Sequence, residues 1–358
     1  MSLDQPLPSI ALPAGPRWRL VALLSMMVAM AHFNRISITV AGAEAIIPHQ
    51  GISPTEMGWI YTAYLLIYTL AMSPGGWFID RFGPRAATFV VGAGSAVFVM
   101  LTGLTGLLWS GTMLWLGLLV VRGSMGVVNA PTHPSAARLV GNWIPPGQRC
   151  FVNGLVNFTA CIGMASTYLV FGMLMDRFEW TGASFVAAGA TLVLAIVWGV
   201  FARSSPSNDA GPGRQRAAAS TLPMVSLFRN QSLMFLTLSY AAVNYFEYLF
   251  FYWAQYYFKH EHQLPDEVSR WYSSLLTITM GLGMMGGGFI TDWTRHHFPY
   301  RYITALVPVV GLIVSAIMLI AGLVCPSPIL ALLCFGIATA AVGSSEGAFW
   351  TLAVEIGG

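Results

Sequence analysis

Hydrophobic residues fill long runs of the chain, and short polar segments separate these runs. Ten of them are close to the roughly 20 apolar residues that a membrane-spanning helix needs. They cover residues 20–46, 57–79, 86–108, 112–140, 150–174, 181–202, 232–258, 268–291, 302–323 and 328–354. The pattern predicts ten helical spans and an all-α polytopic membrane protein.

One polar segment is much longer than the others and divides the spans into six and four. It is rich in Ser, Pro, Gly and Arg, which is typical of a linker. The sequence therefore predicts an N-terminal six-helix bundle over 1–202, a cytoplasmic linker over 203–231, and a C-terminal bundle of four spans over 232–358.

Composition supports a membrane protein and disfavours several other classes. Charged residues make up 9% of the chain, against about 25% in soluble domains. The sequence has no Walker A motif, nucleophile elbow or catalytic dyad, so neither an enzyme nor direct ATP coupling is expected. The cysteines and the stretch 259–267 lack metal-ligand spacing. No metal, cofactor or nucleic-acid partner is expected.

The placement of arginine and lysine predicts the orientation, because cytoplasmic loops carry an excess of both. With the N-terminus inside, twelve basic residues lie on the cytoplasmic side and only Arg177, Lys259 and Arg270 lie outside. Arg35 and Arg122 remain within the membrane. We expect a multi-pass protein of the cell (inner or plasma) membrane with a cytoplasmic N-terminus.

Arg35 lies well inside the first apolar run. A charge at the centre of a membrane helix costs roughly 2.5–3.5 kcal/mol on insertion scales, and such charges usually serve function. The planar guanidinium fits a carboxylate through two parallel hydrogen bonds. Helix-end carbonyls or a buried acid could instead neutralise it. We favour an anchor for an organic anion.

The fourth span carries a polar face. Arg122, Gly126, Asn129 and His133 follow one another at spacings of four, three and four, which places them on one side of a helix. Arg122 could control gating or bind a second anionic group, or it could be a strut between helices. His133, with His32 nearby, could carry a proton near neutral pH, although a packing role is more common for a lone histidine.

Two glutamates and a row of tyrosines add further candidates. Glu247, in the seventh span, and Glu346, in the tenth, are carboxylates that need a partner or a proton inside a membrane, so both are hypothetical coupling sites. Tyr64 and Tyr68 share a face of the second span with Tyr61. We expect Tyr68 above all to line a cavity, although such tyrosines often only hold helices together.

The loop after the second span reads "GGWFIDRFGPRA", and partial echoes follow the eighth span ("GGGFITDWTRHH") and the fifth ("GMLMDRFEW"). Such repeats are typical of secondary carriers. The first loop resembles the signature of the major facilitator superfamily, Gly-x-x-x-Asp-Arg-x-Gly-x-Arg. The resemblance implies a charged latch that controls gating, formed by Gly76, Asp80, Arg81, Gly83 and Arg85.

The fourth span and its exit resemble the anion:cation symporter family, which includes sugar-acid, hexuronate and phthalate carriers. The matching residues are Arg122, Gly126, Pro134, Trp143, Pro145 and Arg149. The resemblance implies substrate contacts at Arg35 and Tyr68. We expect Asn34, Asn129 and Tyr64 to belong to the same substrate site. The resemblance also places Asn34 and Asn129 where that family has the carboxylates that carry the coupling proton. An asparagine forms hydrogen bonds but does not titrate, so another group must bind any proton.

The resemblance as a whole implies a major facilitator-type bundle in the lipid bilayer, normally of twelve spans, of which ten are visible. We expect a monomeric secondary active transporter that moves a small organic anion in symport with a proton or sodium ion. A sensor that binds the anion without transporting it is the alternative. The ten visible spans imply either a fragment or a truncated C-terminal half.

Overall fold

The computed structural model describes residues 14–145, 148–204, 230–297, 303–346 and 348–349. Within these ranges the chain is helical and contains no strand. The helices are α1 (Ala14–Ala41), α2 (Pro54–Phe82), α3 (Pro84–Leu108), α4 (Gly111–Asn129), α5 (Thr132–Trp143), α6 (Arg149–Ser166), α7 (Gly172–Phe201), α8 (Gln231–His260), α9 (Asp266–His297), α10 (Ile303–Leu323) and α11 (Pro328–Gly343).

Two of these helices continue through a widened π-helical turn. Gly42–Ile46 extends α1 to a short last turn at Ile47–His49, and Thr167–Phe171 joins α6 to α7. Such turns occur mostly at functional sites. We call the end of the bundle where α1 stops and α2 begins the far end, because it lies opposite the N-terminus of α1.

Local sequence explains where the helices begin and turn. Ser53 caps α2 with its hydroxyl on the Glu56 N–H (3.2 Å), and the Glu56 carboxylate accepts from the Ser53 N–H (2.8 Å). This reciprocal capping satisfies two amides that the helix leaves unpaired. Gly83, with φ of +84°, separates α2 from α3. Within α7 the chain reverses at Glu179, where φ is +57°.

Each of the ten predicted spans lies on helical structure, but the boundaries differ from the prediction. Six helices in the described ranges are long and apolar enough to cross a membrane. One of them, 151–201, contains the fifth and sixth predicted spans, which meet at the Glu179 reversal instead of a loop. The tyrosines and charged residues of α2 and α8 make these helices more polar. The tenth predicted span runs beyond α11 into residues outside the described ranges.

The outer surface of the bundle is apolar. Large hydrophobic side chains on several helices are mostly exposed, for example Leu70 at 68%, Val200 at 69% and Phe289 at 74%. Soluble proteins rarely expose so many large apolar side chains to water. This apolar surface fits lipid, which confirms a membrane setting.

Helices α1 to α7 form one half and α8 to α11 the other, and the two halves meet around α1, α6, α8 and α9. The Tyr168 hydroxyl donates to the Phe251 carbonyl across this interface (2.7 Å). The predicted linker 203–231 lies almost entirely outside the described ranges, as do the last residues of the predicted C-terminal bundle, so these boundaries stay predictions.

Small residues bring α1 and α6 together. A Cβ at Gly163 would lie 2.1 Å from the carbonyl oxygen of Ala29, far inside van der Waals contact. Membrane helices use glycine in this way, because close backbone approach replaces the hydrophobic driving force that lipid does not supply. The position of α1, and therefore of Arg35, depends on this contact.

We expect Gly163→Ala to push α6 away from α1 and to destabilise the protein by about 1–3 kcal/mol, the usual cost of overpacking. The measurement is thermal unfolding of the purified protein in detergent. Gly154→Ala is the matched control, because it lies on the same helix and its added Cβ meets nothing within 4 Å. Equal melting temperatures for the two variants would contradict the close-contact role.

Candidate functional site

The Arg35 side chain lies at the interface of the two halves and is only 6% exposed. Its guanidinium carbon is 4.6 Å from the Tyr248 ring centre, 5.2 Å from that of Tyr64 and 5.4 Å from that of Tyr68. Its Nε donates to the Tyr252 hydroxyl at 3.3 Å. Four tyrosines, two from each half, therefore surround this cation.

No acid neutralises Arg35 among the described residues, because none of the ion pairs there includes it. Its Nη2 is buried and has no hydrogen-bond partner. Contact with aromatic faces stabilises a cation by about 0.5–2 kcal/mol. That is less than the several kcal/mol that burial of an ion costs, so the guanidinium retains a strong affinity for an anion.

Arg35 opens onto a small cavity of about 10 Å³, with room for about one water molecule. Its walls are Ala31, His32, Arg35, Tyr64, Tyr68, Asn129 and Thr132. A larger cavity of about 320 Å³ lies among α9, α10 and α11, but no charged side chain lines it. The small polar cavity is therefore the candidate anion site.

Asn129 and Asn34 form different hydrogen bonds. The Asn129 side-chain oxygen accepts from Ser95 (2.7 Å) and its nitrogen donates to the Tyr64 hydroxyl (3.2 Å), beside the cavity. Asn34 instead donates to Thr191 on α7 (2.7 Å) and does not line the cavity. Asn129 positions a cavity tyrosine, whereas Asn34 ties α1 to α7.

Arg122 is fully buried and holds α1 from the side of α4. Its Nη1 donates to the Asn34 carbonyl (2.9 Å) and its Nη2 to the Ser37 hydroxyl (3.1 Å). These bonds hold the residues of α1 on both sides of Arg35, one through a backbone carbonyl and one through a side-chain hydroxyl. Of the two interpretations that the sequence allowed, the geometry favours the interhelical strut.

His133 contributes to the same region as Arg35. Its Nε2 lies 3.3 Å from the Nε2 of His32, which is itself part of the cavity wall. The two histidines therefore form a pair next to the candidate anion site. The sequence indicated His133 as a possible proton carrier but did not predict its contact with His32.

The predicted coupling carboxylates form a separate cluster. Glu247 of α8 is 6% exposed, and its Oε1 has no hydrogen-bond partner. Glu346 accepts a hydrogen bond from the Tyr240 hydroxyl at 2.6 Å. The two carboxyl groups interact electrostatically with each other and with Cys161 of α6, so the pair belongs to the interface between the halves.

Comparison with known proteins agrees with this arrangement. The sequence profile of the Major Facilitator Superfamily matches residues 24–357. The chain belongs to this superfamily. A bacterial homolog of the human lysosomal transporter Spinster has the same fold, with a TM-score of 0.76, 20% identity and coverage of 95% of this chain and 76% of the other. A D-xylose-proton symporter gives a TM-score of 0.61 at 16% identity, with 94% and 83% coverage.

Several curated relatives in the superfamily are named as sugar-acid transporters. The probable galactarate/D-glucarate transporter of Escherichia coli K12 is 22% identical over 88% of this chain. The D-galactonate transporter of E. coli O6:H1 is 28% identical over 52%. The hexuronate transporter of Bacillus subtilis is 24% identical over 68%. The chain covers 75%, 42% and 57% of the lengths of these three relatives.

The superfamily loop signature lies at the end of the bundle opposite the far end. Asp80 forms an ion pair with Arg138 of α5, and Arg85 donates to the Gly199 carbonyl on α7. Arg81 lies over the rings of Trp77 and Phe82. Gly83 supplies the positive φ between α2 and α3, and Gly76 has no neighbour within 4 Å of a built Cβ. The charged residues of the signature thus tie α2 and α3 to α5 and α7 within one half.

A second charge cluster closes the far end. Arg270 of α9 donates from Nε to Glu44 (2.7 Å) and from Nη1 to Asp176 (2.6 Å). The side chains of Arg270 and Glu44 are each only 6% exposed. Because Arg270 belongs to one half and both acids belong to the other, this cluster holds the two halves together there.

Sequence reasoning missed Tyr248, Tyr252, Glu44 and Asp176 as functional residues. Arg270 and Asp176 did carry a signal, since Arg270 is one of few basic residues on its predicted side and Asp176 lies in the third repeat fragment. Glu44 carried no such signal in the sequence, because its partner Arg270 is 226 positions away in the chain. The tyrosines of α8 lie in a run rich in aromatic residues, so the sequence alone does not separate those that line a site from those that only pack.

We expect neutralisation of the far-end cluster to open that end of the bundle. The change is Glu44→Gln with Arg270→Gln, which removes the attraction without leaving a lone buried charge. Ile46, fully buried beside Glu44, is replaced by cysteine in a background without the native cysteines. Its reaction with a maleimide in detergent should become about tenfold faster, the effect of about 1.4 kcal/mol.

The control for this experiment is Lys259→Gln. It breaks the ion pair with Asp266, which lies at the same end but inside one half, so the reaction rate at residue 46 should not change. Equal rates in the parent and the neutralised variant would show that the cluster does not hold the halves together.

Proposed function

We propose that this protein is a secondary active transporter of small organic anions, of the class of sugar acids, and that Arg35 binds the substrate carboxylate. The observation that supports this most is the buried guanidinium with an unpaired Nη2 at the interface of the halves. A carboxylate would supply the bidentate acceptor that the surroundings lack.

The surroundings of Arg35 fit a hydroxylated carboxylate. Tyr64, Tyr68, Tyr248 and Tyr252 offer hydroxyl groups next to apolar ring faces, and Asn129 and Thr132 add polar groups to the cavity wall. A sugar acid presents one charge and several hydroxyls, which match one guanidinium and several neutral hydrogen-bonding groups. The names of the sugar-acid relatives point to the same substrate class.

The position of the site between two halves supports alternating access. The cavity is too small for a sugar acid, and the far end is closed by the Arg270 cluster. Rocking of one half against the other would enlarge the cavity and open one end at a time. Two of the tyrosines around Arg35 move with each half, so the environment of the charge changes with the conformation. We expect a cytoplasmic N-terminus in the cell membrane.

Removal of the anchor tests this proposal. We expect Arg35→Gln to lower the kcat/KM of D-galactonate uptake into proteoliposomes on the order of 100-fold, because a hydrogen bond to a charged group contributes up to about 3 kcal/mol. Arg35→Lys should recover little of this loss, since an ammonium group cannot form the two parallel bonds. The readout is the initial rate of labelled uptake.

The control is Arg177→Gln, which removes an exposed arginine on α7 and should leave uptake unchanged. Expression and melting temperature confirm that each variant folds. Normal uptake by folded Arg35→Gln would rule out the anchor role and, with it, the basis for an anion substrate.

The Glu247 and Glu346 pair supports coupling to a cation. The buried Glu247 carboxyl group interacts with a second carboxyl group, Glu346, and a bound proton or metal cation would reduce the repulsion between the two. Because this pair lies between the halves, a cation bound there would affect the movement of one half against the other. We assign Glu247 as the residue that exchanges a proton, since its Oε1 has no other partner. Tyr240 already holds Glu346.

We expect Glu247→Gln to retain counterflow exchange but to lower proton-driven accumulation. With an imposed gradient of one pH unit, each coupled proton lost lowers the maximal accumulation ratio about tenfold, because one pH unit corresponds to about 1.4 kcal/mol. Glu261→Gln, on the exposed turn after α8, is the control. Loss of both activities, or of neither, would contradict the assignment.

A non-transporting anion sensor is the second candidate, and the asparagines at positions 34 and 129 favour it, because a coupling carboxylate is missing at both. The two functions differ in flux. Accumulation of D-galactonate supports a carrier, whereas binding that depends on Arg35 without any counterflow supports a sensor.

A further inference from the structure

The two histidines of the cavity form a directed hydrogen bond. The Nδ1 of His32 lies 2.9 Å from the Val28 carbonyl oxygen. A carbonyl only accepts, so this nitrogen carries a hydrogen, and neutral His32 has a bare Nε2. The 3.3 Å contact between the two Nε2 atoms therefore places its hydrogen on His133, which donates to His32.

The same geometry gives an added proton a defined place. With its Nε2–H directed to His32, neutral His133 has Nδ1 left as the basic atom. A protonated His133 keeps its Nε2–H directed to His32. The pair can therefore hold one proton without losing the hydrogen bond between its two rings.

The charge next to the pair is positive. His32 and Arg35 line one cavity, and no carboxylate of the described residues belongs to its wall. The other titratable or charged groups that face this region are Tyr64 and Tyr68 of α2, Arg122 of α4, and Tyr248 and Tyr252 of α8. None of these is an anion near neutral pH, so Arg35 opposes protonation of the histidines while its own charge is unpaired.

We propose that the His32–His133 pair takes up one proton when an organic anion binds Arg35, so that anion and proton occupy the cavity together. The inference rests on the proposed binding of an anion at Arg35. The carboxylate cancels the repulsion between the guanidinium and the pair, which raises the affinity for the proton. Linkage makes the effect mutual, so the bound proton raises the affinity for the anion by the same factor.

This proton is distinct from the one assigned to Glu247. The histidine pair lies in the N-terminal half beside the anion, whereas Glu247 lies on α8 with Glu346 and Cys161. The histidines add a titratable pair to a cavity wall in which Asn129 forms hydrogen bonds but does not titrate. His133 is only partly buried, which leaves a path for the proton.

The first test needs no substrate. Histidine ¹⁵N NMR of the purified protein in detergent follows protonation of the pair as the pH falls. In Arg35→Gln the pair should take up its proton about one pH unit or more above the parent, the size of effect that a like charge nearby produces. Arg177→Gln should match the parent. Equal titration of the Arg35→Gln variant and the parent would overturn the inference.

The second test counts protons carried per D-galactonate in proteoliposomes, from the gradient at which net flux reverses. His133→Gln and His32→Gln should each lower the ratio by one proton. His49→Gln, at the exposed end of the first span, should leave the ratio unchanged. An unchanged ratio in both pair variants would overturn the inference. Absence of any D-galactonate flux in the parent would count against the proposed substrate class, and the NMR titration would still decide the inference.

Discussion

The proposed anion site depends on a buried positive charge, that of Arg35, which forms no ion pair among the residues that the structure describes. Arg35 lies between the two halves with a buried N–H group that has no acceptor. Aromatic rings lower the cost of burying it but do not remove it. The cavity beside it is polar yet nearly full, so the site stays ready for a small anion and excludes most of the solvent. Alternating exposure of such a charge is what a carrier for anions requires.

Two buried arginines, Arg122 and Arg35, differ in the contacts that their guanidinium groups form. Arg122 is as deeply buried as Arg35, but two of its nitrogens donate to a backbone carbonyl and a hydroxyl on α1. Among the described residues they leave only its Nε without a partner. Arg35 donates one long hydrogen bond to a tyrosine hydroxyl and lies against the faces of three rings. Arg122 is thus bonded to the neighbouring helix at two nitrogens, whereas Arg35 has fewer fixed hydrogen bonds, which fits the proposed binding of an anion.

Much of this was predictable from sequence because the membrane restricts what a chain can do. A long apolar run must become a helix, since lipid satisfies no backbone hydrogen bond. A charged residue inside such a run usually serves function. That logic predicted the helices and indicated Arg35 and Glu247 as candidates, whereas the loop at Asp80 came from the family resemblance. It also placed a break between the fifth and sixth spans at 175–180, where the chain turns at Glu179, but it did not predict that helix would continue on both sides without a loop. Nor did it place Asn34 against Thr191, because 157 positions separate the two residues.

The contacts between halves were the least predictable part, and they are also the part on which function depends. Arg270 meets Glu44 and Asp176, and Tyr252 meets Arg35, only after helices distant in sequence pack together. Asn34, which precedes Arg35 in the chain, is a further example of a contact between distant parts of the sequence. An aspartate at position 34 could compete with the substrate for the guanidinium, whereas Asn34 carries no charge and bonds to α7. Under the proposed function, a substrate carboxylate would then have no ion-pair competitor for the Arg35 guanidinium among the described residues.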